Sequence, residues 1–191
     1  MNKSLIFVIG KTSSGKDTIV NYIAEKYGIK PIVSYTTRPK RENETNGVEH
    51  EFITKDMMAS ILENETMLAY VKFQKTEYEY CTTLECIKDD VMTYIIDPDG
   101  IRNFEKMGHD IDTYKIFVHL SEVTIKERAK NRGDAEEDII SRLASERSMF
   151  DYCLMNQDYD YIISTNQSKE DVFADVDYVM SKIRHKINEN A

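Results

Sequence analysis

The chain has 191 residues, of which 41% are hydrophobic and 31% charged, and this length and balance predict one globular domain with a substantial core. Its net charge of −9 argues against a nucleic-acid partner, which would require a basic face. No apolar run approaches the ~20 residues of a spanning helix, so no membrane partner is expected. Three cysteines without metal-type spacing favour reduced thiols and a cytoplasmic location.

The first predicted strand, Leu5–Ile9, leads into a glycine-containing loop and then into a segment with helical apolar spacing from Thr18. Strand, Gly-x4-Gly-Lys and helix together are the context that a phosphate-binding loop requires, and an ordinary glycine-rich turn is the weaker alternative. Glycines let backbone N–H groups converge on an anion, and the helix N-terminus adds its dipole. We therefore predict that a nucleoside triphosphate is bound by Gly10, Ser13, Ser14, Gly15, Lys16, Asp17 and Thr18.

One position of this loop departs from the usual motif. A hydroxyl residue normally follows the lysine, whereas here Asp17 follows Lys16 and the hydroxyl of Thr18 comes one place later. A carboxylate at this place repels phosphate unless it helps to hold a metal ion. We predict a Mg²⁺ site that involves Thr18 and Asp97, and whether Asp17 also contacts the metal stays open.

The middle of the chain alternates between short strands and polar loops. A second strand is predicted at 30–34, then a basic loop at 35–41, strands at 48–54 and 67–80, and a helix at 55–62 between them. We interpret residues 35–82 as a small mixed lobe inserted in the main sheet. The core is then formed by residues 1–34 and 83–191, with a helical lid at about 131–147.

The second half of the chain predicts the fold class. Strands at 91–96, 114–120 and 159–164 alternate with helices that end near 107, 131, 150 and 187. This alternation predicts an α/β fold of the P-loop NTPase type, with a parallel sheet wound with helices on both faces and an inserted mixed α+β lobe.

Several polar residues follow predicted strands, where ligands of open parallel sheets bind. We expect Ser34, Asp97 and Asp99 to converge with the phosphate-binding loop on one cleft. Arg38 and Arg41 suit forked hydrogen bonds to a second phosphate group, although a solvated basic loop is the alternative. Asp-Pro-Asp-Gly at 97–100 is also a turn signature in its own right.

Four arginines flank the predicted break at 132–134, namely Arg128, Arg132, Arg142 and Arg147. Arginines on a mobile segment suit the stabilisation of charge on a transferring phosphoryl group. We predict that Arg132 and Arg142 act with Lys16 as catalytic residues. The alternative is that they are surface arginines paired with nearby glutamates.

These motifs resemble those of the guanylate kinases over nearly the whole chain, most specifically in the run Ser34-Tyr35-Thr36-Thr37-Arg38-Pro39-Lys40-Arg41. The resemblance implies ATP-dependent phosphorylation of a nucleoside monophosphate, with GMP or dGMP as the first expected acceptor and Mg²⁺ as cofactor. It implies that 35–82 is the monophosphate-binding lobe. The acceptor-binding residues that it implies are Ser34, Arg38, Arg41, His50, Tyr80, Thr82 and Asp99.

The chain departs from the family pattern at the acceptor site. His50 stands where the family has a phosphate-binding tyrosine, and Ala69 aligns with the glutamate that reads guanine. Either another acid such as Glu65 or Glu79 supplies that contact, or the base is not guanine. A kinase of another monophosphate or of a small phosphorylated metabolite, and a non-catalytic binding module, are therefore alternatives. The oligomeric state stays open.

Overall fold

The computed structural model describes residues 3–42, 44–73, 76–131 and 133–190. The elements in chain order are β1 (Ser4–Ile9), α1 (Lys16–Tyr27), β2 (Ser34–Thr36), β3 (His50–Phe52), α2 (Lys55–Asn64), β4 (Met67–Lys72), β5 (Glu79–Thr83), a short 3-10 helix (Leu84–Cys86), β6 (Val91–Ile95), α3 (Pro98–Met107), β7 (Asp112–His119), α4 (Glu122–Asn131), α5 (Glu136–Met155), β8 (Tyr161–Ser164) and α6 (Lys169–Asn190). Within these described residues, none of the helices combines the length and apolar character needed to cross a membrane.

The chain divides into two units. The first consists of Met1–Pro31, Val91–Pro98 and Ile111–Ala191, and the second of Ile32–Asp90 and Asp99–Asp110. The second unit therefore contains most of α3, which the sequence analysis assigned to the core segment. The lobe boundary at 35–82 stays a prediction.

The first unit is built on a parallel sheet with the strand order β6-β1-β7-β8. Its central strand β1 is buried at every position. Because successive side chains of a strand point to opposite faces, Ile6 and Val8 pack on one side, in a cluster with side chains of α1 and α6. On the other side, the ring of Phe117 in β7 meets that of Phe150 in α5 at a centroid distance of 6.2 Å. Helices cover both faces, which confirms the predicted fold class.

The second unit contains a mixed sheet with the order β3-β2-β5-β4. Strand β2 pairs in parallel with β3 and antiparallel with β5, which also pairs antiparallel with β4. The prediction of one strand over 67–80 was wrong, because β4 ends at Lys72 and β5 begins at Glu79. The hydroxyl of Thr54 caps α2 by accepting a hydrogen bond from the N–H of Met57, which explains where this helix starts.

Candidate active site

The loop between β1 and α1 has the backbone geometry of an anion-binding site. At Gly10 a Cβ atom would lie 2.6 Å from the carbonyl oxygen of Val118, so any side chain would collide with the backbone of β7. Gly15, with a φ of 97°, and Ser13, with a φ of 55°, adopt left-handed conformations. Such turns direct successive N–H groups towards one point, and this concave backbone can hold phosphate oxygens.

The side chains of the loop leave polar atoms ready for a ligand. The ammonium group of Lys16 donates hydrogen bonds to the carbonyl oxygens of Gly10 at 2.7 Å and Lys11 at 2.9 Å. The hydroxyls of Ser13 and Ser14 are buried, and neither has a hydrogen-bond partner within the described part of the protein. Since buried hydroxyls ordinarily have partners, these two fit a site that is completed by water or by phosphate oxygens.

A cavity of about 440 Å³ lies next to the loop in the first unit. Its size suits a small organic ligand. The hydroxyl of Thr165, directly after β8, donates to the carbonyl oxygen of Ser14 at 2.7 Å, and Arg128 donates to the carbonyl oxygen of Thr165 at 2.7 Å. The lining residues are Ser13, Gly15, Asp17, Thr18, Ile19, Arg128, Thr165, Gln167, Lys169 and Val172.

The sequence analysis did not select the residues that follow β8. A signal for them was available, because the carboxyl end of β8 belongs to the same sheet edge as the loop. Arg128, one of the four candidate arginines, lies at this cavity.

The predicted metal-binding residues lie at the same edge of the first unit. Thr18 and Asp17 line the cavity. Strand β1 pairs with β6 so that Val8 is opposite Ile95, and this register carries Asp97 towards Gly10. Carboxylate and hydroxyl oxygens are the ligands that Mg²⁺ prefers, usually together with water and substrate phosphates. Among the described residues no group of three or more histidines, cysteines or acids could hold a metal.

The arginines of α5 differ in their contacts. Arg147 donates two hydrogen bonds to Glu122, at 3.2 and 2.7 Å. Arg142 is exposed, and its positive charge acts on Glu146, one turn later in α5. Arg132, the other predicted catalytic arginine, lies outside the described residues.

Acidic residues of α4 and α5 bind the phosphate-binding loop directly. The carboxylate of Glu146 accepts a hydrogen bond from the N–H of Thr12 at 2.9 Å. The ammonium group of Lys11 lies 3.1 Å from carboxylate oxygens of both Glu122 and Asp151. The sequence analysis had considered the glutamates near these arginines only as their surface partners. Its contact with Thr12 joins residues 134 apart in the chain, so no local pattern reports it.

A second group of predicted residues lies on the mixed sheet of the second unit. Antiparallel pairing of Thr36 with Tyr80 and parallel pairing of Ser34 with His50 bring their side chains onto one face. The hydroxyl of Ser34 lies 2.8 Å from Nδ1 of His50. The rings of His50 and Tyr80 meet edge to face with centroids 5.6 Å apart. This face therefore offers the hydroxyls of Ser34 and Tyr80 and the imidazole of His50 to a ligand.

The guanidinium group of Arg38 lies at one side of this face. Its Nε donates to the hydroxyl of Tyr80 at 3.1 Å, and its two terminal nitrogens donate to the two oxygens of Glu44 at 2.9 and 2.8 Å. Glu44 also accepts from the N–H of Arg41 at 2.8 Å. Burial alone would raise the pKa of Glu44, but the hydrogen bonds from Arg38 and Arg41 hold that pKa below its ordinary value. Glu44 was not singled out from the sequence.

The predicted base-contacting residues have different surroundings. Thr82 is fully buried and pairs with Ala69. Asp99 forms an ion pair with Arg102 in the first turn of α3. Both residues belong to the second unit. Asp99 lines a shallow cleft of about 340 Å³ together with Tyr70, Val71, Lys72, Arg102, Asn103 and Lys106.

Glu79, one of the two acids that could replace the missing glutamate, does not lie on the face of Tyr80. It precedes Tyr80 in β5 and therefore points to the opposite face, where its carboxylate accepts a hydrogen bond from the hydroxyl of Tyr70 at 2.7 Å. Cys81 also lies on that opposite face, and burial raises the pKa of its thiol to about 12. The structure thus does not support Glu79 as a guanine contact.

Comparisons with known proteins agree on one family. The family model described as guanylate kinase matches residues 2–183. A guanylate kinase from Neisseria gonorrhoeae is 31% identical over 169 residues, covering 82% of each chain. One from Pseudoalteromonas translucida is 26% identical over 170 residues, covering 82% of this chain and 81% of that protein. The crystal structure of guanylate kinase from Anaplasma phagocytophilum matches 97% of this chain and 87% of that chain, with a TM-score of 0.70 and 20% identity.

Proposed function

The chain belongs to the guanylate kinase family of ATP-using nucleoside monophosphate kinases, and we propose that it transfers the γ-phosphoryl group of ATP to GMP or dGMP. The observation that carries this proposal is the phosphate-binding loop between β1 and α1. The side chain of Lys16 folds back onto the carbonyl oxygens of this loop, and a cavity adjoins it. We place the reaction in the cytoplasm, where the thiols of Cys81, Cys86 and Cys153 would stay reduced.

The donor nucleotide would bind in the first unit. The N–H groups of the loop and the ammonium group of Lys16 would hold the phosphates, in exchange for the contacts that Lys16 now makes with Gly10 and Lys11. The nucleoside part fits the cavity beside the loop, where the guanidinium group of Arg128 and the hydroxyl of Thr165 supply polar contacts.

Mg²⁺, when bound, would neutralise charge on the reacting phosphates. Thr18 and Asp97 would hold it, since their oxygens suit this ion and Thr18 lines the donor cavity. Most of the remaining ligands would be water and phosphate oxygens, as is usual for Mg²⁺.

The acceptor would bind on the mixed sheet, which we propose as the monophosphate-binding lobe, within 35–82. Its phosphate would be held by Arg38, Arg41 and the hydroxyl of Tyr80, with His50 and Ser34 beside them. A guanidinium group that Glu44 holds in place and a neighbouring imidazole suit a phosphate dianion. Thr82 and Asp99 would lie towards the base.

The transfer itself needs little covalent chemistry from the protein. The attacking oxygen of the acceptor phosphate is already an anion, so no general base is required and positioning supplies most of the rate. Arg142, and Arg132 by the family resemblance, would stabilise the charge of the transferring group together with Lys16.

A changed acceptor is the second candidate function. The face of Tyr80 carries Ala69 in place of a carboxylate, and Glu79 points away from this face. Guanine offers an N1–H and an amino group, and leaving such donors unpaired in a site costs about 1–3 kcal/mol each. A base without those donors would not incur this free-energy cost at the site.

The test is an ADP-release assay with Mg·ATP and each nucleoside and deoxynucleoside monophosphate in turn. We expect turnover with GMP or dGMP that disappears in Lys16→Ala and persists in Lys126→Ala, an exposed lysine of α4. A higher turnover with another monophosphate would mean that the acceptor base is not guanine. Silence across the whole panel, with a folded protein, would overturn the kinase proposal in favour of a metabolite kinase or a binding module.

A further inference from the structure

Glu146 brings a negative charge into the phosphate-binding loop. Its side chain reaches from α5, and one carboxylate oxygen accepts the N–H of Thr12 at 2.9 Å. Thr12 lies between the two glycines of the loop, so this N–H belongs to the concave backbone that would hold phosphate. The carboxylate here accepts the hydrogen bond of a loop N–H group, as a phosphate oxygen would.

Positive charges surround this carboxylate. Lys16, Arg142 and Lys11 all act electrostatically on Glu146. Burial nevertheless raises the pKa of Glu146, because the charged form has lost water that the Thr12 N–H and these cations replace only in part. The protein therefore holds a poorly solvated anion beside the two residues, Lys16 and Arg142, that the proposed reaction needs for phosphate.

The contact is built by several elements of the first unit. Lys11, the neighbour of Thr12, is only 12% exposed and lies 3.1 Å from both Glu122 of α4 and Asp151 of α5. Arg147 of α5 binds the other oxygen of Glu122 at 2.7 Å. These pairs hold α4 and α5 against the loop, and they keep Glu146 aimed at Thr12.

We propose that Glu146 is an internal anion that occupies part of the donor-phosphate site and sets the affinity of the loop for triphosphates. The inference rests on the donor site of the proposed function. A triphosphate and a carboxylate cannot both lie at the Thr12 N–H without strong repulsion, so donor binding displaces Glu146 from Thr12. The exchange removes a negative charge from the neighbourhood of Lys16 and Arg142, whose positive charges then act on the phosphates.

The test measures binding rather than turnover. Titration calorimetry with Mg·ATP, and separately with metal-free tripolyphosphate, is carried out on the native chain, on Glu146→Gln and on Glu137→Gln. Glutamine keeps the shape and an acceptor oxygen but removes the charge. Glu137 is an exposed acid of the same helix, so its variant controls for the change in net charge.

We expect Glu146→Gln to bind both probes about 10-fold more tightly than the native chain, which corresponds to about 1.4 kcal/mol, and Glu137→Gln to bind as the native chain does. If Glu146 only supported the fold of the loop, Glu146→Gln would bind both probes more weakly than the native chain. Unchanged or weaker binding by Glu146→Gln would overturn the inference while leaving the donor site intact. Absence of binding by every chain, equal to Lys16→Ala, would overturn the donor site and the inference together. Tight binding without turnover would count against the kinase proposal alone.

Discussion

The two carboxylate oxygens of Glu44 accept hydrogen bonds from the two terminal nitrogens of Arg38, at 2.9 and 2.8 Å. Both side chains are nearly buried, with exposed fractions of 10% for Arg38 and 12% for Glu44. With Nε on the hydroxyl of Tyr80, the guanidinium group is held in one plane. Such a fixed arginine would lose little freedom on binding a phosphate, so Glu44 would prepare the proposed acceptor site.

Substitution Glu44→Gln should weaken acceptor binding. The amide presents an NH2 group to the guanidinium and removes the charge, so Arg38 is no longer fixed by two charge-assisted bonds. We expect the KM for the acceptor monophosphate to rise about 10-fold and the KM for Mg·ATP to stay unchanged, since a charged hydrogen bond contributes about 1.5–3 kcal/mol. Initial-rate kinetics with each substrate varied in turn measures both values.

Glu42→Gln is the matched control for this prediction. Glu42 is an exposed acid of the same loop, and the loss of its charge should leave both KM values as they are. If Glu44→Gln and Glu42→Gln gave the same acceptor KM as the native chain, Glu44 would have no part in preparing Arg38.

The phosphate-binding loop could be predicted because its determinants are local. Gly10, Gly15 and Lys16 are near neighbours in the chain, and a strand before them and a helix after them are read from short apolar patterns. The contact of Glu146 with Thr12 could not be predicted, because it depends on how α5 packs against the loop. Contacts between elements that are distant in the chain produce no periodic pattern in a single sequence.

The acceptor site shows the same limit on a smaller scale. The sequence indicates Arg38 and Tyr80 through a family motif, but the face to which a strand residue points depends on the register. The alternation of side chains along β5 places Glu79 and Tyr80 on opposite faces of the sheet, so an acid adjacent in sequence does not reach the face of Tyr80. The break between β4 and β5 was also missed, since the run 67–80 has no Gly or Pro to mark it.

Substitution Gly10→Ala should weaken donor binding. The added Cβ would lie 2.6 Å from the backbone oxygen of Val118. Because this oxygen belongs to a strand and cannot rotate away as a flexible side chain can, the loop must shift away from β7. We expect at least a 10-fold loss of Mg·ATP affinity in calorimetry and a stability loss of about 1–3 kcal/mol, as for other overpacked sites. Gly28→Ala is the control, because Gly28 has positive φ but open space around it. That variant should lose only about 1 kcal/mol and bind Mg·ATP normally. Native affinity in Gly10→Ala would show that the loop does not need this close approach.

Substitution Ala69→Glu should shift the enzyme towards guanine. Ala69 pairs with Thr82 across β4 and β5, so a carboxylate at this position would lie on the face that carries Tyr80. It would supply acceptors for guanine N1–H and the amino group, and we expect kcat/KM for GMP relative to AMP to rise about 10-fold. Ala69→Gln is the isosteric control, because its amide offers only one acceptor oxygen. An equal ratio in the two variants would mean that the base does not contact this position.

Substitution of Glu146 and substitution of Glu122 by glutamine should change the stability of the protein in opposite directions. The pKa of Glu122 is lowered to about 2 from an ordinary 4.5, by hydrogen bonds from Arg147 and Lys11. Its stabilising contribution is therefore complete above pH 4.5 and is lost as the pH falls towards 2. Burial raises the pKa of Glu146, so its charged form costs stability, and that cost grows as the pH rises from 4.5 through the raised pKa.

We therefore expect Glu146→Gln to have a higher Tm than the native chain at about pH 8, and the gain to vanish as the pH falls below the ordinary pKa of a glutamate. Glu122→Gln should have a lower Tm at about pH 8, and this loss should shrink as acid protonates Glu122 in the native chain. For a chain of this size a change of 1 kcal/mol moves Tm by about 2–4 °C, which scanning calorimetry resolves. A lower Tm for Glu146→Gln at about pH 8 would mean that Lys16, Arg142 and the Thr12 N–H fully compensate the buried charge. The carboxylate would then be a stabilising residue of the loop, with no stored cost for a donor phosphate to relieve.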